Sequence, residues 1–105
     1  MFEAVDFTEI DDVSDYLINE SEFYRQTEPL RENYAKKIKK GIFDTLSAVK
    51  GVENHVRAYL KTEQFRRDYG AVTLSRTGIG IIAANILKHW KEEIQEMSER
   101  LGEGK

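Results

Sequence analysis

Apolar residues recur at helical spacing along this chain, and the pattern stays helical throughout. Ile10, Val13 and Leu17 fall on one face of a first helix. Asp6 and Glu9 are spaced as a capping pair, with Val5 and Ile10 where a hydrophobic staple would sit, so this helix is predicted to start at Asp6. Asp11, Asp12 and Asp15 lie in its early turns, where the helix dipole favours anions. The helix is expected to fray after Asn19, and residues 21–27 carry no clear pattern. Pro29 opens a second helix, because its missing N–H costs nothing in a first turn. Leu30, Tyr34 and Ile38 follow at i, i+4 and i+8, four lysines follow in the last turns, and Gly41 stops the helix.

Asp44 is placed to cap the next segment, and Leu46 and Val49 begin a short apolar face. Val52, Val56, Tyr59 and Leu60 continue it toward Phe65 and Tyr69, and Gly70 ends it. Gly51 interrupts the run, but an interior glycine costs only about 1 kcal/mol. Residues 45–69 therefore read equally as one kinked helix or as two. The last helix has the clearest signature. Thr73 or Ser75 caps it, and Ile79, Ile82, Ile86, Trp90, Ile94, Met97 and Leu101 form one sustained stripe. These elements predict an all-α fold: a compact bundle of three to five helices with a long C-terminal helix, in a single domain over residues 1–105. The length suits one domain and leaves a modest core.

The stripe from Ile79 to Leu101 is longer than the helices over 6–19 and 29–40. An uncovered remainder would be a continuous apolar strip, which monomers rarely expose. The expectation is a homodimer that pairs the final helix with its twofold copy; the alternative is an antiparallel hairpin with residues 45–69, of which 52–69 could cover most of the stripe within one chain.

The net charge of −3 hides an asymmetry. Residues 1–30 hold nine acids against one base, residues 31–91 hold thirteen bases against five acids, and residues 92–105 hold five acids against two bases. The acidic first helix is expected to dock near the basic middle and partly neutralise it. Lys36, Lys37, Lys40, Arg57, Lys61, Arg66 and Arg67 are the candidate interaction residues if that middle stays uncovered. Nucleic acid is then the alternative partner, and the overall acidity disfavours it.

No constellation carries enzyme chemistry, and no cofactor is expected. The chain has no cysteine, which excludes disulfides and thiolate metal sites and favours the cytoplasm. His89 and Glu93 stand at i, i+4, but two ligands do not make a metal site. Ser14, Ser21, Ser47, Ser75 and Ser98 have no identifiable base. Gly78, Gly80 and Ala83 match G-x-G-x-x-A without the preceding strand that a dinucleotide site needs, so they read as small residues for close helix approach. Residues 65–76 suggest a helix-turn-helix, but the second helix is apolar where a reading helix is polar. The acidic opening residues predict no signal peptide, and the eleven residues from Thr77 to Leu87 that are poor in charge are too few to span a bilayer.

One stretch has a wider likeness. Tyr34-Ala35-Lys36, Lys40-Gly41-Ile42-Phe43-Asp44, Ala48-Val49-Lys50-Gly51-Val52-Glu53, Val56 and Tyr59 resemble a pattern in small proteins of unknown function encoded by tailed bacteriophages. The likeness covers about residues 33–96. It implies a phage or prophage origin and transfers no site residue. Together these readings predict a non-enzymatic interaction or regulatory protein that binds a host or phage macromolecule in the host cytoplasm. Its partners are another protein and a second copy, not a membrane. The alternative is a nucleic-acid-binding accessory protein that uses the basic middle.

Overall fold

The structure is a computed structural model, and it describes residues 7–101. Among them are six helices and no strand: α1 (Phe7–Asn19), α2 (Ser21–Gln26), α3 (Glu28–Lys40), α4 (Thr45–Leu60), α5 (Glu63–Asp68) and α6 (Arg76–Arg100). Six replace the expected three to five because residues 21–26 and 63–68 each form a short helix of their own. The predicted pairing of Asp6 with Glu9 falls partly outside the described residues.

α6 is the spine. Its 25 residues rise about 37 Å, along a molecule whose longest extent is 51 Å. Ser75 caps it, its hydroxyl accepting from the Gly78 N–H at 3.0 Å. α1, α3 and α4 all pack against it. α1 lies along the first half, where Ile10 approaches Gly78 and the Asn85 amide donates to the Ser14 hydroxyl at 3.2 Å. α3 lies along the second half, where Arg31 meets Glu93. α4 runs the opposite way, with Val49 near Leu87 and Arg57 near Ile79. Ile82, Ile86, Trp90 and Ile94 are consequently buried within one chain. No single helix covers the stripe. α4 packs along one side and α1 and α3 follow one another along the other, so the uncovered strip that motivated a homodimer through α6 shrinks to half-buried Ile79 and Met97 and part-exposed Leu101.

The undecided stretch 45–69 divides, but not at its glycine. α4 runs unbroken through Gly51 and stops at Leu60. The Thr62 hydroxyl donates to the Tyr59 carbonyl at 2.7 Å and accepts from the Phe65 N–H at 3.2 Å, ending one helix and starting the next. Gly51 serves packing instead. The Tyr34 hydroxyl lies where a side chain would stand and donates to the Ala48 carbonyl at 2.6 Å. Burial pushes the Tyr34 hydroxyl up to about 12.

α2 and α3 meet at a single residue, Thr27, which is fully buried. Its hydroxyl donates to the Phe23 carbonyl at 2.9 Å and accepts from the Arg31 guanidinium at 2.7 Å. Arg31 takes a core position on α3 that an apolar stripe would have assigned to Leu30, which is only half-buried. One nitrogen donates to the Tyr24 carbonyl at 2.8 Å, and the guanidinium lies 3.7 Å from the Tyr24 ring centre and 5.3 Å from that of Trp90. Its Nε lies 3.2 Å from a Glu93 carboxylate oxygen, close as a charge but bent as a hydrogen bond. The Tyr24 hydroxyl donates to the same carboxylate at 2.6 Å, which raises its own pKa. This cluster ties α2, α3 and α6 together.

Candidate functional site

The corner between α3 and α4 is built by two opposed caps. Gly41 adopts φ +74°, the left-handed turn that glycine takes without strain. Its N–H donates to the Ile38 carbonyl at 3.0 Å, and the Ile42 N–H donates to the Lys37 carbonyl at 2.9 Å. In such an ending, the residue after the glycine usually rests on an apolar side chain one turn back. Here that turn carries Lys36 and Lys37, so Ile42 finds no apolar seat and stays 62% exposed. Asp44 then caps α4, accepting from the Ser47 N–H at 3.1 Å and the Ser47 hydroxyl at 2.7 Å. Those bonds from Ser47 hold the Asp44 carboxyl below its usual range. Leu46 follows in the first turn of α4 and is 76% exposed.

Beside this corner lies a groove of about 630 Å³ between α3's end, the first turns of α4 and the middle of α6. Ile38, Phe43, Val49, Leu87 and Ile94 form its apolar wall. Phe43 is fixed edge-to-face on Tyr34, with ring centres 5.6 Å apart. Ala84 and Gly41 leave two low points in the rim. The two charged residues that line the groove are Lys88 and Lys91, both exposed.

The seven cations singled out from the sequence do not converge. Arg57, Lys61 and Arg66 meet around a second groove of about 470 Å³, floored by Leu60, Val72, Leu74 and Ile79. Arg57 also reaches Glu53 at 3.9 Å, and Arg67 reaches Glu63 at 3.8 Å, each within its own helix. Lys36 lines a shallow pocket with Met97 and Arg100, while Lys37 and Lys40 stay on α3's last turns. The rise of α4 alone, about 18 Å from Thr45 to Arg57, separates the two groups. The acidic first helix does not lie over the lysines of α3. It packs on α6 and against α5, where the Tyr16 hydroxyl donates to Asp68 at 3.3 Å.

Other sequence features resolve into packing. Gly78 and Ala83 are buried in the contact of α6 with its neighbours. Glu93 joins Arg31 and Tyr24, while His89 is exposed. Among the described residues no cluster of three or more metal-ligating side chains occurs. Seven residues separate α5 from α6, longer than the tight turn of a helix-turn-helix. No helix among the described residues is long and apolar enough to cross a membrane. The Tyr59 hydroxyl is buried without a hydrogen-bond partner, and burial with nearby Glu20, Glu22 and Asp68 pushes it up to about 12. The groove by α6 escaped sequence reasoning. Leu46 and Val49 were legible as an apolar face, but nothing in the chain marks Leu46 as left outside. No protein-family model, no curated protein and no solved structure matches the chain.

Proposed function

We propose that this chain is a non-enzymatic binding protein whose docking surface is the groove between the α3–α4 corner and α6. One observation carries this reading. An apolar groove lies at the α3–α4 corner, whose chain also leaves in water Ile42 and Leu46, two large aliphatic residues next in sequence to the lining residues Gly41, Phe43 and Thr45. A protein partner is the occupant that gains most from such a wall, because interface cores are apolar and depleted of charge. On the likeness of residues 33–96 to phage-encoded proteins, the partner is a host or phage protein in the host cytoplasm.

The test is capture from bacterial lysate by immobilised wild type, Leu46→Asp and Ala84→Glu. Both sites are exposed, so both variants are expected to keep the wild-type helical circular dichroism. A protein held by the wild type and released by both variants is the expected result. A partner that ignores both substitutions, or no partner at all, sinks this reading.

Nucleic-acid binding is the second reading. In its favour, three cations line the second groove with no carboxylate among its lining residues. Against it, Lys36, Lys37 and Lys40 lie elsewhere, so few phosphates can be met at once. Mixed duplex DNA at about 50 mM salt is expected to show no binding. Affinity that falls by about 0.9 log per log of salt for each phosphate met, and is lost in Lys61→Glu/Arg66→Glu, would restore it.

A further inference from the structure

We infer that the occupant of the groove is an acidic amphipathic helix from a different protein. The inference rests on the docking reading above and specifies its partner. The first ground is charge. Lys88 and Lys91 line the groove and, among the described residues, no Asp or Glu does. The last turn of α3, with Lys37, Lys39 and Lys40, ends on the groove's edge at Gly41. An incoming carboxylate meets favourable potential on both sides, and an incoming lysine meets repulsion.

The second ground is backbone chemistry. Most of the wall is hydrocarbon, and its polar side chains, Thr45, Lys88, Lys91 and Gln95, are too few to pair the whole backbone of an extended peptide. An extended peptide laid there would leave backbone groups unpaired, at a cost comparable to a lost hydrogen bond each. A helix arrives with its backbone already paired. The lining residues of α6 run from Ala84 to Gln95, a rise of about 16 Å or three helical turns. That length suits anchors at i, i+3 or i+4, and i+7. Ala84 and Gly41 lower the rim where a helix backbone would come near.

The third ground separates a foreign partner from a second copy. A twofold copy whose axis ran through the groove would bring Lys88 and Lys91 near the same lysines, and like charges facing each other are costly. The end of α6, with Glu92, Glu96 and Glu99 exposed, is acidic too, but its stripe is buried through Ile94; the other acidic helix this chain owns is α1, with Asp11, Asp12 and Asp15 exposed. Its apolar face, Ile10, Val13 and Leu17, is already spent on the core. It cannot serve a neighbour without unfolding its own bundle.

The experiment is selection of a displayed library of helical peptides against the full chain, with the residues flanking an apolar stripe randomised among acidic, neutral and basic types. The selected peptides are expected to be acid-rich. They should bind at least about tenfold more weakly to Leu46→Asp and Ala84→Glu. Lys88→Glu/Lys91→Glu should weaken acidic binders by roughly fivefold to tenfold and make the loss smaller in high salt, as exposed ion pairs do. Groove-dependent binders that are neutral or basic overturn the acidic helix and leave the docking reading intact. Absence of any binder sensitive to Ala84→Glu, which changes a residue of the groove itself, overturns both. A homodimer in sedimentation equilibrium that Ala84→Glu dissociates overturns the foreign partner in favour of a second copy.

Discussion

Tyr16, Phe65 and Tyr69 at one end of the bundle, and Ile42, Phe43 and Leu46 at the α3–α4 corner, are both apolar clusters set among charges. The first is closed. Tyr16 stands edge-on to Phe65 and Tyr69 at 5.4 and 5.5 Å between ring centres, and Phe65 stacks on Tyr69 at 5.1 Å. Its polar tips are used as well, since the Tyr69 hydroxyl donates to Glu9 at 3.0 Å. At the corner only Phe43 folds inward, and Ile42 and Leu46 remain in water. Tyrosine can seal an edge because it ends in a hydroxyl, whereas isoleucine and leucine have nothing to offer solvent. A fold that seals one end this way and leaves bare aliphatics at the other has a surface whose apolar contacts contribute little to its own stability.

Removing the buried ring at the closed end is the largest test of that contrast. Phe65 is fully buried and joins Tyr16, Tyr59 and Tyr69. Phe65→Ala is expected to cost about 3–5 kcal/mol in urea titration, and Trp90→Ala on the α6 stripe the same. Both are large fractions of the roughly 5–15 kcal/mol that holds a domain together. A loss under about 1 kcal/mol at Phe65 would mean that the closed end is no better packed than the corner.

The Arg31 cluster gives a second, smaller contrast, in which the two partners of one ion pair are unequal. Arg31 is 1% exposed, while the Glu93 side chain is 36% exposed. Glu93→Ala strands a buried cation and is expected to cost about 2–3 kcal/mol. Arg31→Met leaves a carboxylate that water can reach and a side chain of similar length in the core, so about 1 kcal/mol is expected. Equal losses from the two variants would show that the pair acts as a surface bridge.

α1, α3, the start of α4 and α6 were legible in the sequence because their signals are local, whereas the short helices α2 and α5 were not. Pro29, Gly41, Asp44, Ser75 and the stripe on α6 each act within a turn or two, and each stands where its chemistry requires. What was not legible depends on distant residues. Arg31 reads as one more cation until Tyr24, Trp90 and Glu93 are brought around it. The stripe on α6 reads as too long for the helices over 6–19 and 29–40 until α4 and, in turn, α1 and α3 share it. The groove is hidden for the same reason. Its wall combines α3, α4 and α6, and periodicity along one helix cannot reveal which apolar residues a neighbour will leave uncovered.

Gly51 sits between the two regions in effect size, because it decides whether Tyr34 can support the corner. By helix propensity alone, Gly51→Ala would stabilise α4 by about 1 kcal/mol. The added methyl group would instead meet the Tyr34 hydroxyl, which is held by the Ala48 carbonyl and backs Phe43. The expected net result is destabilisation of about 1–2 kcal/mol. In a Tyr34→Phe background the obstruction is gone, so the same substitution should become neutral or favourable, and a double-mutant cycle reads the change of sign. An identical effect in both backgrounds would separate Gly51 from Tyr34 and leave the glycine unexplained.

The smallest effect is expected at the corner itself. Leu46 is 76% exposed on the first turn of α4 and Ile42 is 62% exposed. Truncating a residue already in water removes little buried area, so the hydrophobic term lost is small. Leu46→Ser and Ile42→Ser are each expected to move stability by no more than about 0.5 kcal/mol. The same urea titration used for Phe65→Ala measures both. If either variant instead costs over about 1.5 kcal/mol, that residue packs against its own chain in solution, the corner is closed like the opposite end, and no bare aliphatic surface stands next to the groove for a partner to cover. If stability holds while groove-dependent binding falls, the corner's apolar surface serves a partner, and the contrast between the two ends is one of function.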